Sequence, residues 1–336
     1  FGKDRVSNRL HLTASSLVAI GTSFSAFWIL SLNSWMQTPG GFRIEDGRFF
    51  VESWWAVIFN PSFPYRMTHM MLASLLTTSF LIMGISAWRA LKQVDGPATW
   101  KVMRTGAVMA AVLAPLQIVI GDLHGLNTLE HQPAKIAAIE AIWETEKGAP
   151  FTVIGWPDEQ AGKTHFALQI PKAASLILTH EWDGEVQGLN EFTETPPVPA
   201  LFWSFRIMVG IGFLMLAIGW WAAWMLLRKA DDQGKVDNRW LLRALSWMTF
   251  SGWLATLCGW YVTEIGRQPW MVYGLLKTRD TVADHASATL AGTLFGYLFL
   301  YAFLLAAFIA TLRYLSTKPA QSLKLLHEYH PSGGKS

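Results

Sequence analysis

Uncharged apolar stretches alternate with short charged ones along the whole chain. Six runs stand out, at 12–36, 67–88, 105–121, 207–227, 244–263 and 286–312. A helix crosses a bilayer core with about 20 apolar residues, range about 17–25, so the pattern predicts six transmembrane helices. The third run reaches that length only marginally. It contains Pro115, and a membrane helix tolerates the resulting kink where neighbours satisfy the freed carbonyl. The pattern changes between the third and fourth runs. Segment 133–143 reads as an amphipathic helix, and 166–170 alternates like a short strand. Pro196-Pro197-Val-Pro199 makes a stiff lead-in to the next helix. The expected architecture is an all-α polytopic membrane helical bundle with a long external loop. Its parts are helices one to three over 1–121, the loop over 122–206, helices four to six over 207–320 and a cytoplasmic tail over 321–336. No repeat relates the two halves, which weakens an inverted-repeat transporter.

Composition removes the competing classes. Charged residues make up 15% of the chain, against about 25% in soluble domains. The charges sit in the connections, which six buried helices of a soluble protein would not explain. A single cysteine, Cys258, excludes a disulfide framework and a Cys-based metal cluster within the chain. A net charge of +3 is too small to argue for nucleic acid. The head (Lys3, Arg5, Arg9), the 89–104 connection, the 228–243 connection and the tail (Arg313, Lys318, Lys324, Lys335) hold 16 of the 27 cations. The positive-inside rule makes that side cytoplasmic, so the loops at 37–66, 122–206 and 264–285 face outward. Trp35, Trp54, Trp55, Tyr65, Trp203, Trp260 and Trp270 lie near run ends, as interfacial belts do.

Candidate chemistry gathers at the outer ends. His69 and Met208 begin the second and fourth runs on the outer side, at equal depth on separate helices. A His and a Met so placed can clamp one haem iron from both faces, giving a low-spin electron-transfer haem. Arg66 and Arg206 beside them can pair with haem propionates. Glu264 closes a long uncharged run, three residues before Arg267. An i,i+3 ion pair at a helix end is the simplest reading. A lone carboxylate at that depth must otherwise be protonated or bound to a cation. Asp122 and His124, in a Gly-Asp-Leu-His-Gly turn opening the long loop, can move protons. Lys135 and Glu140 on the loop helix read most simply as a solvated face. Ser25 and Asn33 in the first run can line a hydrophilic path or bridge helices.

Taken together, these residues resemble subunit I of the cytochrome bd quinol oxidases over nearly the whole chain. The resemblance rests on Gly-Arg-Gln-Pro-Trp at 266–270 with Glu264 before it, and on His69 with Arg66 and Thr68. It rests also on Ala-Lys-Ile-Ala-Ala-Ile-Glu-Ala-Ile-Trp-Glu-Thr at 134–145, on Phe-Arg-Ile-Met at 205–208 and on Asn-Ser-Trp-Met-Gln at 33–37. The short long-loop and the 121–125 run are similar to the cyanide-insensitive subgroup.

The resemblance implies roles. His69 and Met208 would be axial ligands of the low-spin haem b. Glu264 would ligate or face one of two high-spin haems, a haem b and a haem d or substituting haem b, with Arg267 stabilising that pair. Lys135 and Glu140 would lie in the quinol-oxidising Q-loop, and Ser25 and Asn33 at the oxygen site and its proton route. The whole would be a quinol:oxygen oxidoreductase of a bacterial inner membrane, its long loop periplasmic. It would oxidise quinol at the outer face and reduce O2 to water, contributing to the proton gradient without pumping. Implied partners are subunit II, a small accessory subunit and membrane lipid, with no nucleic acid. The family's subunit has nine spans, of which these six match the last six. The chain, starting at Phe1, is therefore expected to be a piece of a longer product, inactive alone. A transporter or channel, or a haem-binding anchor without oxidase activity, are the competing classes.

Overall fold

A computed structural model describes residues 6–94, 96–232, 234–282 and 285–317. Lys3, Arg5, Lys318, Lys324, Lys335 and the expected tail at 321–336 lie outside the described residues. Five helices are long and apolar enough to cross a membrane: α1 (Asn8–Gln37), α3 (Phe63–Leu91), α4 (Pro97–His131), α7 (Val198–Arg228) and α10 (Ser287–Thr317). The first four each contain one of the expected runs, and α10 begins one residue inside the last. Ser7 caps the start of α1 by accepting from Leu10 N, as short hydroxyl side chains do at N-caps.

The fifth run differs. It divides into α8 (Arg239–Trp247), a 3₁₀ turn (Met248–Phe250) and α9 (Ser251–Ile265). The Thr249 hydroxyl donates to Ser246 O at 2.6 Å and the Ser251 hydroxyl to Met248 O at 2.7 Å. Such local bonds compete with the i→i−4 ladder, and a hydropathy pattern does not register them.

The third run also differs at its outer end. α4 continues to His131, so the Gly-Asp-Leu-His-Gly segment is helix rather than a turn. Pro133 ends it, because the residue before a proline disfavours the helical region. Then comes α5 (Pro133–Glu140), which stops at Ala141 in the left-handed region. The expected amphipathic helix is not amphipathic: every residue from Ala134 to Glu140 is buried. The solvated-face reading of Lys135 and Glu140 is thereby overturned.

The connection from α1 to α3 carries a hairpin, β1 (Phe42–Glu45) with β2 (Arg48–Val51), and the short helix α2 (Trp54–Ile58). Its two-residue turn is Asp46-Gly47, both at positive φ (50° and 71°), the primed geometry that matches strand twist. The long loop holds β3 (Glu146–Lys147), β4 (Phe151–Asp158), β5 (Lys163–Ile170), α6 (Ala173–Thr179) and β6 (Glu185–Val186). The expected strand at 166–170 is the second half of β5, antiparallel to β4. After α9 comes the small hairpin β7 (Trp270–Val272) and β8 (Leu276–Lys277).

Contacts divide the chain into two compact units, to each of which α3, α4, α7 and α9 contribute. One takes in the described residues of 1–74, 115–212 and 254–282. Its core joins α5 to the start of α7 through Ile136, Ala137, Ile139, Leu201 and Phe202. Gly188 crosses this loop core closely, and a Cβ there would meet Glu144 C at 2.2 Å. Gly188→Ala should therefore loosen the loop by roughly 1–3 kcal/mol, seen as faster proteolysis within 132–197. Parental resistance would show the crossing has room.

The other unit takes in the described residues of 75–114, 213–253 and 283–336. Here small residues let helices touch, as membrane helices favour. A Cβ on Gly84 would strike Thr249 and Leu245 O, and one on Gly106 would strike Met83 and Ser79 O. No described residue of α10 is buried. In α1 the buried residues are the polar Ser31, Ser34 and Gln37. Both helices therefore present apolar surface to their surroundings, as multi-pass membrane helices do.

Candidate functional site

All the expected site residues fall in the first unit, and buried polar groups concentrate in three places there. The first surrounds the end of α9. Asn33 and Gln37 are four apart in α1 and so share a face. Asn33 Nδ2 donates to Glu264 Oε1 at 2.6 Å, and Gln37 Nε2 donates to Thr263 O at 3.2 Å. Arg267 Nη2 donates to Glu264 Oε2 at 2.6 Å. The i,i+3 pair therefore forms, and Asn33 adds a bond from another helix. Lys135 Nζ donates to Gln37 Oε1 at 2.6 Å, while Gln132 Nε2 donates to Gln37 O at 2.8 Å. Gly266 lets α5 approach: a Cβ there would lie 2.9 Å from Lys135 Cε.

Charge is unbalanced at this place. Lys135, Arg66 and Arg267 are buried, at 3%, 7% and 6% exposure, and Glu264 is the carboxylate that acts on them. Burial pushes the Lys135 amine well below its ordinary value, Arg66 and Arg267 push it further, and Glu264 pulls it back. Arg66 Nε, Arg267 Nε and Arg267 Nη1 are buried with no hydrogen-bond partner. Unpaired buried guanidinium donors are costly, so the cluster is built for an additional anion.

The second place is His69 on α3. Its Nε2 lies 3.0 Å from Gln117 Nε2, and its Nδ1 is buried without a partner, as is Gln117 Oε1. Gln117, Gly121 and His124 recur at helical spacing on one face of α4. A Cβ on Gly121 would sit 3.2 Å from His69 Cε1, and the His124 ring centroid is 5.7 Å from that of His69. Met208 on α7 lies against Gly259, where a Cβ would come 2.9 Å from its sulfur. Of the expected proton pair, His124 joins His69, while Asp122 is exposed.

The third place is the pair formed by Arg206 and Glu140. Arg206 Nη2 donates to Glu140 Oε2 at 2.7 Å, Nη1 to Oε1 at 3.4 Å, and Nε to Thr152 O at 2.7 Å. Its guanidinium lies 4.5 Å from the ring centroids of both Phe151 and Phe202. Burial pushes the Glu140 carboxyl up, and the Arg206 charge and hydrogen bond draw it back. Arg206 is thus committed to Glu140, leaving Arg66 and Arg267 as the cations with donors to spare. Lys135 and Glu140 face different partners. Ser25 is exposed on α1, apart from the Asn33–Glu264 contact.

Gln37, Gln117 and Gln132 were not singled out as site residues in the sequence. The i,i+4 spacing of Asn33 and Gln37, and the Gln117-Gly121-His124 stripe, are the signals that point to them. Among the described residues no group of three or more His, Cys, Asp or Glu gathers as a metal site. A haem, by contrast, needs only one or two axial donors.

The family profile for cytochrome bd terminal oxidase subunit I matches residues 1–319. The cytochrome bd ubiquinol oxidase subunit 1 of Bacillus subtilis is 34% identical over 303 residues, covering 86% of this chain and 63% of that protein. The cytochrome bd-II ubiquinol oxidase subunit 1 of Escherichia coli is 31% identical over 351 residues, covering 83% of this chain and 67% of that one. The chain thus spans about two thirds of the length of these relatives. The bd oxidase structure from Geobacillus thermodenitrificans superposes with a TM-score of 0.78 at 29% identity, over 94% of this chain and 72% of that one. The chain belongs to the cytochrome bd terminal oxidase subunit I family.

Proposed function

We propose that the chain is the haem-binding subunit I of a quinol oxidase that takes electrons from quinol at the outer membrane face and delivers them to O2. Family membership implies haem, and the residues present fit one. His69 offers a buried imidazole whose Nε2 is met by the Gln117 amide and whose Nδ1 has no partner, and Arg66 and Arg267 offer buried donors without acceptors. That coincidence carries the reading, because a haem brings both an iron that seeks a nitrogen ligand and two propionates that seek cations. Haem supplies one-electron redox chemistry when bound.

His69 and Met208 would hold the low-spin haem b, and Arg66 and Arg267 would receive its propionates. Glu264, bonded to Arg267 and Asn33, would serve a high-spin haem, in a subunit that also takes haem d or a second b-type haem. Lys135 and Glu140, in the quinol-oxidising loop at 122–206, orient a quinol hydroxyl and take up its proton, a role that requires hydrogen-bond reach. Ser25 and Asn33 lie on the proton route to the oxygen site. Proton release outside, with uptake from the cytoplasm, builds a membrane potential without pumping. The exposed faces of α1 and α10 favour a companion membrane subunit, subunit II, with a small accessory subunit and lipid completing the surround in a bacterial inner membrane.

The test is spectroscopic. The membrane complex containing this chain should show a low-spin haem b band on reduction and consume O2 with added quinol. Absence of any haem band would leave the transporter reading; haem without quinol-dependent O2 uptake would leave the anchor.

A further inference from the structure

Beside the Lys135–Gln37 contact lies a pocket of about 240 Å³, walled by Gln37, Thr38, Pro39, Pro61, His131 and Tyr273. Pockets for whole drug-sized ligands run to about 300–1,000 Å³, so this one suits a single substituted ring whose tail stays outside. Two prolines and the Tyr273 ring supply apolar walls. Gln37 and Thr38 are buried and already committed: Gln37 to Lys135 and Thr263, Thr38 to Ser34 and Asn60. His131 is different. Its Nδ1 lies 2.9 Å from Asn127 O, the carbonyl one turn earlier in α4. The carbonyl can only accept, so at that distance Nδ1 carries the proton and Nε2 is the ring's acceptor; the Asn127 amide nitrogen, which would need the other tautomer, is farther from Nδ1, at 3.4 Å. Asn127 is itself held, accepting from Ser62 Oγ at 3.0 Å and donating to Pro61 O at 3.5 Å. The imidazole is thus oriented from behind, with one lone pair left uncommitted in a half-buried wall.

We propose that this pocket receives the head-group ring of a quinol and that His131 Nε2 accepts the proton of one of its hydroxyls. The proposal rests on the quinol-oxidase reading and deepens it. Oxidation of the ring to a quinone removes two electrons and two protons. The O–H bond facing His131 breaks, its proton passing to Nε2 and from the imidazolium to water. The second hydroxyl's proton is the one that Lys135 or Glu140 would take up, and the two electrons would leave one at a time to the haem that the oxidase reading supplies as oxidant. Gln37 joins the pocket wall to Lys135, so the ring sits one amide away from the buried cation cluster.

Two variants of the membrane complex separate the pocket from the proton step. His131→Gln keeps an acceptor atom but cannot take up the proton. It should lower kcat on the order of 10²-fold, the scale of general-base catalysis, with KM and the haem spectrum held. Gly40 also lines the pocket, and a Cβ there meets nothing within 4 Å. Gly40→Leu should fold and fill the space. It should weaken binding of short-tailed ubiquinone about tenfold or more, read by quenching of tryptophan fluorescence. Turnover of His131→Gln at the parental rate would remove His131 from the reaction. Parental quinone affinity in Gly40→Leu would remove the pocket. Either result, in a complex that still oxidises quinol, leaves the oxidase reading standing and overturns this one. A parent complex without haem or quinol oxidation overturns both.

Discussion

Replacing His69 by alanine should empty the low-spin haem site while leaving the chain in the membrane. The side chain sits on α3 against Gly121 of α4, with one ring nitrogen on Gln117 and the other buried without a partner. The Gln117 amide nitrogen can only donate, so His69 Nε2 holds the ring's lone pair and Nδ1 carries a hydrogen without an acceptor; an iron would take Nε2 in place of the Gln117 amide. Loss of an outer partner of a ligating histidine typically costs about 10–100-fold in metal affinity. Loss of the ligand itself should exceed that, so the reduced low-spin band should disappear. Gln117→Leu should sit at the lesser level, because it removes only the group that orients the ring. Met208→Ala should lower the potential of whatever low-spin haem stays bound, since a thioether ligand raises it. An intact reduced band in His69→Ala would take the ligand assignment away from this residue. The cavity left by an alanine does not unfold α3: the partners at risk are Gln117 and His124, not the helix–helix core.

The membrane helices were legible because hydropathy acts over a whole turn and more, and lipid admits few alternatives. The break in the run at 244–263 was not. It comes from two hydroxyls bonding carbonyls three residues back, a matter of single atoms. The end of α4 was misjudged for a related reason. Charges begin at Asp122, but a helix ends where its backbone does, at Pro133, and nothing about a charge stops the ladder. Burial of Lys135 and Glu140 was hidden because charged residues are rarely buried unless paired. Their partners, Gln37 and Arg206, are 98 and 66 residues away in sequence. Glu264 was readable as a residue needing a partner because its isolation was itself a pattern. Which partner it has, Asn33 on another helix, follows only from the packing.

Glu140→Ala should disable the long loop before it tests any chemistry. It leaves the Arg206 guanidinium, about 9% exposed, among Phe151, Phe202 and Phe205 with carbonyl oxygens of Thr152 and Ile139 as its remaining acceptors. Removing one partner of a buried pair costs about 3–5 kcal/mol, because the other charge stays buried and uncompensated. Loss of turnover in the single variant would therefore say little about proton transfer. The paired change Glu140→Met with Arg206→Leu separates the two effects. Replacing both charges by apolar groups of similar volume is often neutral or stabilising, so the loop should regain parental resistance to proteolysis and heat. Stability and turnover then report different things. If Glu140 takes up a quinol proton, the double variant should be folded, should keep its haem and should turn over at least about 10²-fold more slowly. If the double variant regains parental turnover, the carboxylate serves to hold Arg206, and the proton leaves by another group, for which the uncommitted nitrogen of His131 is placed. The ion pair does not argue against a catalytic carboxylate in advance. Burial raises the affinity of Glu140 for a proton and Arg206 lowers it, and a group held between those two influences can gain and lose a proton when a hydroxyl is brought against it.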